Sequence, residues 1–149
     1  MLLSERFRGY DLSSFYDQLR ARGKEVGVAF GTHTILSNSK LALMASEFAR
    51  DQNQYDSFHE DMFHAYFTEG LDIGKTEVIA AIAKKSGLDE KETLSAVRDD
   101  RYASRLNEAR KEASLIGLTG VPLFVIENKH KIVGAQPIET FRDLLDKIK

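Results

Sequence analysis

With 149 residues, 42% of them apolar and 30% charged, the chain has the size of one domain. A chain of this length buries roughly 68–70% of the surface exposed on unfolding, enough for a real core. Lys and Arg number 21 against 23 Asp and Glu, a net charge of −2 with no basic stripe, which argues against a nucleic-acid binder. The apolar runs are too short for a membrane span. Cysteine is absent, which excludes disulfides, thiolate metal sites and a cysteine nucleophile within the chain. The charged start Met1–Arg6 lacks the apolar stretch of a signal peptide, so the cytoplasm is the expected location.

The first two-thirds reads as helices. Asp11, Ser13 and Ser14 offer N-caps before Phe15 and Leu19. Val26, Val28 and Phe30 alternate with small residues and predict a short extended piece ending at Gly31. Ser37 or Asn38 can cap a second helix carrying Leu41, Met44 and Phe48. A third, from about Gln54 to Phe67, presents Tyr55, Phe58, Met62, Phe63 and Tyr66 as an aromatic stripe expected to be core. A fourth runs from near Thr76 to Ser86, with Gly87 as its stop. Asp89 and Glu92 have the spacing of a capping box and open a fifth through Val97. The sixth spans about Tyr102 to Ile116 and stops at Gly117; its charges form a solvated face.

The pattern changes at Gly120. Val121–Ile126 is apolar on both strand faces, as in a strand covered on both sides. Lys131–Val133 returns as its partner, and Pro137 opens a last helix whose predicted buried stripe is Ile138, Phe141, Leu144, Leu145 and Ile148. A two-stranded hairpin alone is marginally stable. The sheet therefore asks for more partners than the sequence offers.

Some motifs fail on spacing. Gly70–Thr76 has three residues between its first glycine and Gly-Lys-Thr, where a phosphate cradle needs four, and it follows a helix instead of a strand. A helix–helix turn is the expectation. His59 and His64 lie five apart, about 140° around a helix, so they cannot share a metal from one face. Glu60 and Asp61 read as helix-surface carboxylates, and His33 and His130 as loop histidines.

Thr119-Gly120-Val121-Pro122-Leu123-Phe124-Val125-Ile126, followed by Gly134-Ala135-Gln136-Pro137, resembles the end of a DsbA-type thioredoxin fold. Upstream, the stretch Phe63–Gly74 (FHAYFTEGLDIG) is similar to the helical insertion of the cytoplasmic FrnE-like branch of that thiol–disulfide oxidoreductase family. The likeness runs from about Asn38 to the C-terminus, with three separated motifs in the family's order.

The resemblance implies an α/β fold, thioredoxin-like, mostly helical, with a helical insertion over about 1–100 and the C-terminal half of the thioredoxin fold over about 101–149. The family's N-terminal strand–helix–strand part, with its Cys-x-x-Cys pair, is expected to be missing, leaving a single incomplete domain. It implies a cis peptide before Pro122, exposing the Val121 backbone so that an extended substrate can add main-chain hydrogen bonds. Val121 and Pro122 are the candidate substrate-binding residues, with Thr119 and Gly120 shaping the loop. No catalytic residue, metal or cofactor is expected. Thiol attack on a disulfide requires a cysteine thiolate, so the chain alone is expected to be redox-inactive. Its partners would be protein or small-molecule thiols and disulfides, and a second copy meeting the exposed strand edge. The alternatives are a glutathione- or peptide-binding module, as in the related 2-hydroxychromene-2-carboxylate isomerase and kappa-type glutathione transferase group, or a structural fragment completed by another chain. Gly134-Ala135-Gln136-Pro137 favours the FrnE-like branch.

Overall fold

A computed structural model describes residues 1–148. In chain order it contains α1 (Leu3–Arg6), α2 (Leu12–Glu25), α3 (Lys40–Asp51), α4 (Tyr55–Phe63) running into a π-helical turn (His64–Thr68), α5 (Thr76–Lys85), α6 (Glu90–Arg98), α7 (Ala103–Leu115), β1 (Leu123–Ile126), β2 (His130–Val133) and α8 (Ile138–Lys147). The chain forms two compact units, Met1–Leu106 and the part from Asn107 onward.

Local signals place most helix ends. The Asp11 carboxylate accepts the Ser14 N–H at 3.0 Å and caps α2, and Asp89 accepts the Glu92 N–H at 2.8 Å and caps α6. Each satisfies a first-turn N–H that has no partner within its helix. Asn38 takes the Lys40 N–H at 3.1 Å at the head of α3. At the end of α7, Gly117 adopts φ 66°. Its N–H donates to the Ser114 carbonyl and that of Leu118 to Ala113, a Schellman closure that an L side chain would strain.

In the first unit, α3 packs against α4, α5 and α6. Met44, Phe48, Phe58, Met62, Ile79 and Val97 form the centre of that core. The aromatic stripe is only partly core. Phe58 and Met62 are buried, whereas Phe63 is 50% exposed. The predicted stripe was wider than the arc that α3 and α5 cover. Phe63 instead joins a row of rings along α4, Tyr55–His59–Phe63–Phe67, with centroid separations of 4.9, 4.5 and 5.6 Å. In α2 the inward residue is Tyr16; Phe15 is exposed. The Val26–Phe30 piece has no strand partner among the described residues. Gly31 N–H donates to the Phe67 carbonyl (2.9 Å) and Thr68 hydroxyl to that of Ala29 (2.6 Å), docking the segment on the π turn.

In the second unit β1 and β2 pair antiparallel, Leu123 opposite Val133 and Ile126 opposite His130. The connecting turn holds Glu127 and Asn128 at positive φ. The expected double cover of this strand is not present. Phe124 and Val125 are exposed, and from Asn107 on Ile132 is the one buried side chain among the described residues. The predicted buried stripe of α8 is likewise uncovered at Ile138 and Leu145, while Phe141 meets Phe124 edge-on at 4.9 Å. A two-stranded hairpin has too little surface to bury an amphipathic helix face and its own two faces at once. The architecture is the expected one: mostly helical and thioredoxin-like, with helical insertions and a small C-terminal hairpin plus helix.

Candidate functional site

The loop singled out by sequence lies between α7 and β1. The Val121–Pro122 peptide is cis. Immediately beyond it β1 begins at Leu123, and the Pro122 carbonyl accepts the Gly134 N–H at 2.7 Å, which ties the loop to the end of β2. Gly134 sits at φ 84°, and the Gln136 side-chain amide donates to the Val133 carbonyl at 3.0 Å, closing the turn that follows β2. Lys131 Nζ reaches back to the Ile116 carbonyl at the end of α7. One segment, Lys131–Gly134, thus ties down the chain on both sides of Thr119–Val121, at Ile116 and at Pro122.

Val121 itself is 80% exposed, and its N–H and C=O make no hydrogen bond among the described residues. Such an open N–H and C=O can bond to an extended chain. Gly120 has room for more than a hydrogen: a Cβ there would meet Val133 Cγ1 at 3.5 Å, an ordinary contact. Thr119 is exposed and makes no side-chain hydrogen bond. The residues around this loop hold no sulfur nucleophile, and the chain has none. The arrangement offers an open backbone N–H and C=O; it cannot carry a mixed disulfide.

Several of the other residues weighed from sequence have structural partners. Gly70–Thr76 is a helix–helix turn, with Gly70 at φ 71° and the Asp72 carboxylate accepting the Gly74 N–H at 3.0 Å. The His59 ring stacks on Tyr55, while His64 Nδ1 lies 3.2 Å from Glu69. Asp61 is more than a surface carboxylate: it pairs with Lys85 at 2.8 Å and accepts the Ser86 hydroxyl at 3.0 Å, linking α4 to α5. The Lys85 contact, opposed by burial and helped by Ser86, holds the Asp61 carboxyl below its usual range. Asp51 is similarly lowered by Arg105 first and then by the Tyr102 hydroxyl, 2.9 Å away.

His33 was expected in a loop, and its surroundings were not legible. It is 9% exposed, with the Tyr16 hydroxyl 3.1 Å from Nε2 and 3.3 Å from Nδ1. The Tyr66 ring lies 4.6 Å from it. Burial pushes the imidazole below its ordinary value; burial, then Tyr66, pushes the Tyr16 phenol up. Seventeen positions separate the partners in sequence, and no local pattern joins them.

Comparison with known proteins bears on the fold. Residues 12–146 match the family described as "DSBA-like thioredoxin domain". A solved structure of a probable DsbA oxidoreductase from Streptomyces coelicolor superimposes with a TM-score of 0.77 at 25% identity, covering 90% of this chain and 58% of that one. The uncharacterized protein YwbO of Bacillus subtilis (strain 168) is 30% identical over 87 residues, which are 58% of this chain and 44% of that protein. The chain therefore spans less than half the length of this curated relative. The family match begins well before Asn38, where the recognisable motifs start. The chain belongs to the DSBA-like thioredoxin domain family, as a member without cysteine.

Proposed function

We propose that this chain is a FrnE-like member of the family that docks extended polypeptides or small thiols and disulfides at Thr119–Pro122, and that by itself it performs no thiol–disulfide exchange. The observation that carries the reading is the exposed Val121 backbone, unbonded at the head of β1, on a chain with no cysteine. Backbone addition supplies affinity without a reactive side chain. The likeness of Gly134-Ala135-Gln136-Pro137 to the FrnE-like branch supports the branch assignment.

Titration of 15N-labelled protein with oxidised glutathione and with an extended peptide tests the docking. Saturable shifts centred on Val121 are expected. Shifts confined to other residues would remove the loop as a docking site. In parallel, insulin reduction is expected to match a buffer control, because only a thiolate can open the disulfide.

A second reading rests on a separate observation. The part from Asn107 onward buries only Ile132 among its described residues, and the outer edge of β1 has no strand partner there. An uncharged, apolar edge is a template for pairing, and two copies meeting edge to edge would form one four-stranded sheet with closed two-fold symmetry. Sedimentation equilibrium over a wide concentration range is expected to show a dimer; a monomer throughout would refute it.

A further inference from the structure

A cavity of about 270 Å³ opens in the first unit, away from the Val121 loop in sequence, lined in part by Leu3, Leu12, Tyr16, Arg20, Thr32 and His33. We propose that it is a binding site for a small monocarboxylic acid with an apolar body.

Size sets the scale. An apolar cavity of about 150 Å³ accepts benzene, so this one has room for a ring or a short carbon chain together with a carboxylate. Leu3 and Leu12 give it apolar walls, and the Tyr16 ring adds a third.

The polar wall is made of groups with hydrogen to give. His33 and Tyr16 are both buried, yet one phenol oxygen lies near both ring nitrogens. A neutral imidazole has one N–H and one acceptor nitrogen. When the Tyr16 hydroxyl donates to the acceptor, the ring N–H is left over for a ligand. Thr32 Oγ1 accepts from Arg20 Nη1 at 3.1 Å and so keeps its own hydrogen free to donate. Arg20 brings a fixed positive charge, and no Asp or Glu lines the cavity.

The Arg20 partner, Asp17 at 2.6 Å, is itself solvent-exposed. Exposed i,i+3 pairs of this kind contribute little, so the guanidinium can turn part of its fork to a carboxylate, which it matches in geometry. Three donors, one of them a cation, and no carboxylate select an anionic, acceptor-only headgroup. The apolar walls select what is attached to it.

Sodium benzoate is the probe, titrated into the 15N-labelled full chain, with benzyl alcohol as a neutral ligand of the same shape. Benzoate is expected to give saturable shifts at the amides of Thr32, His33 and Thr34, and to bind about tenfold or more tightly than benzyl alcohol. Arg20→Gln shortens the side chain, keeps a polar end and removes the charge at a partly exposed position, so the spectrum away from Thr32 should be unchanged. It is expected to weaken benzoate about tenfold and leave benzyl alcohol as it was. Absence of saturation at millimolar benzoate, equal affinity for the two ligands, or an Arg20→Gln variant that binds benzoate as the parent does would each overturn the proposal.

Discussion

Phe58 and Phe63 sit five residues apart on one helix, and the structure gives them opposite fates: Phe58 is 0% exposed and Phe63 50%. Phe58→Ala empties a ring-sized space among Met44, Met62 and Ile79 in the centre of the α3–α6 core. Substitutions of this type cost about 3–5 kcal/mol, the transfer term plus the cavity. Phe63→Ala leaves no cavity. It removes only ring contacts with His59 at 4.5 Å and Phe67 at 5.6 Å. Such pairs are worth about 0.5–1.5 kcal/mol beyond their area, and half of this ring already faces water. A small domain has about 5–15 kcal/mol of stability in total, so the first change removes a large share and the second a small one. In urea, with a slope near 2 kcal/mol/M, Phe58→Ala is expected to lower the midpoint by about 1.5–2.5 M and Phe63→Ala by less than about 0.8 M. Far-UV circular dichroism follows the transition, since the chain has no tryptophan. Equal midpoint shifts for the two variants would refute the division of the stripe into core and surface.

Gly31→Ala would drive a Cβ into the Thr68 carbonyl, with that residue's carbonyl carbon at 3.0 Å, and both obstacles are backbone. A loss of about 1–3 kcal/mol is expected by urea titration, and an unchanged midpoint would mean that Ala29–Gly31 does not lie on the π turn. His33, buried and lowered, binds its proton more readily when unfolded. Stability is therefore lost as pH falls below the ordinary histidine value of about 6.5, down to the folded value beneath it. His33→Gln is expected to flatten that slope between about pH 7 and pH 5; an unaltered slope would contradict the burial. Asp61 is lowered as well, from a different cause, chiefly its contact with Lys85. Its contribution is complete above about pH 4 and disappears as pH falls through the lowered folded value. Asp61→Asn should remove part of the acid loss seen by circular dichroism, and no change would mean the pair with Lys85 is immaterial.

What the amino-acid order determined by itself is what depends on neighbours within a turn or two. Asp11 and Asp89 cap their helices because a short acceptor side chain meets an N–H three residues on. Gly117 ends α7 because it takes the left-handed backbone without cost. The hairpin and the last helix were readable for the same reason; the Val121–Pro122 loop was singled out only through the family resemblance that the separated motifs carried.

Tertiary structure decided everything that rests on long-range contact. Periodicity names an apolar face but not how much of it is covered, so Phe63 looked equivalent to Phe58 until α3 and α5 were seen to reach only one of them. The stripe of α8 is well formed in sequence and half uncovered in space, because the hairpin beside it is small. Val26–Phe30 had the alternation of a strand, yet Ala29 within it accepts from Thr68 and Gly31 just beyond it donates to Phe67. The His33–Tyr16 pair joins a loop to a helix across seventeen positions. A contact of that kind is set by the packing of whole elements, and no pattern in either segment announces it.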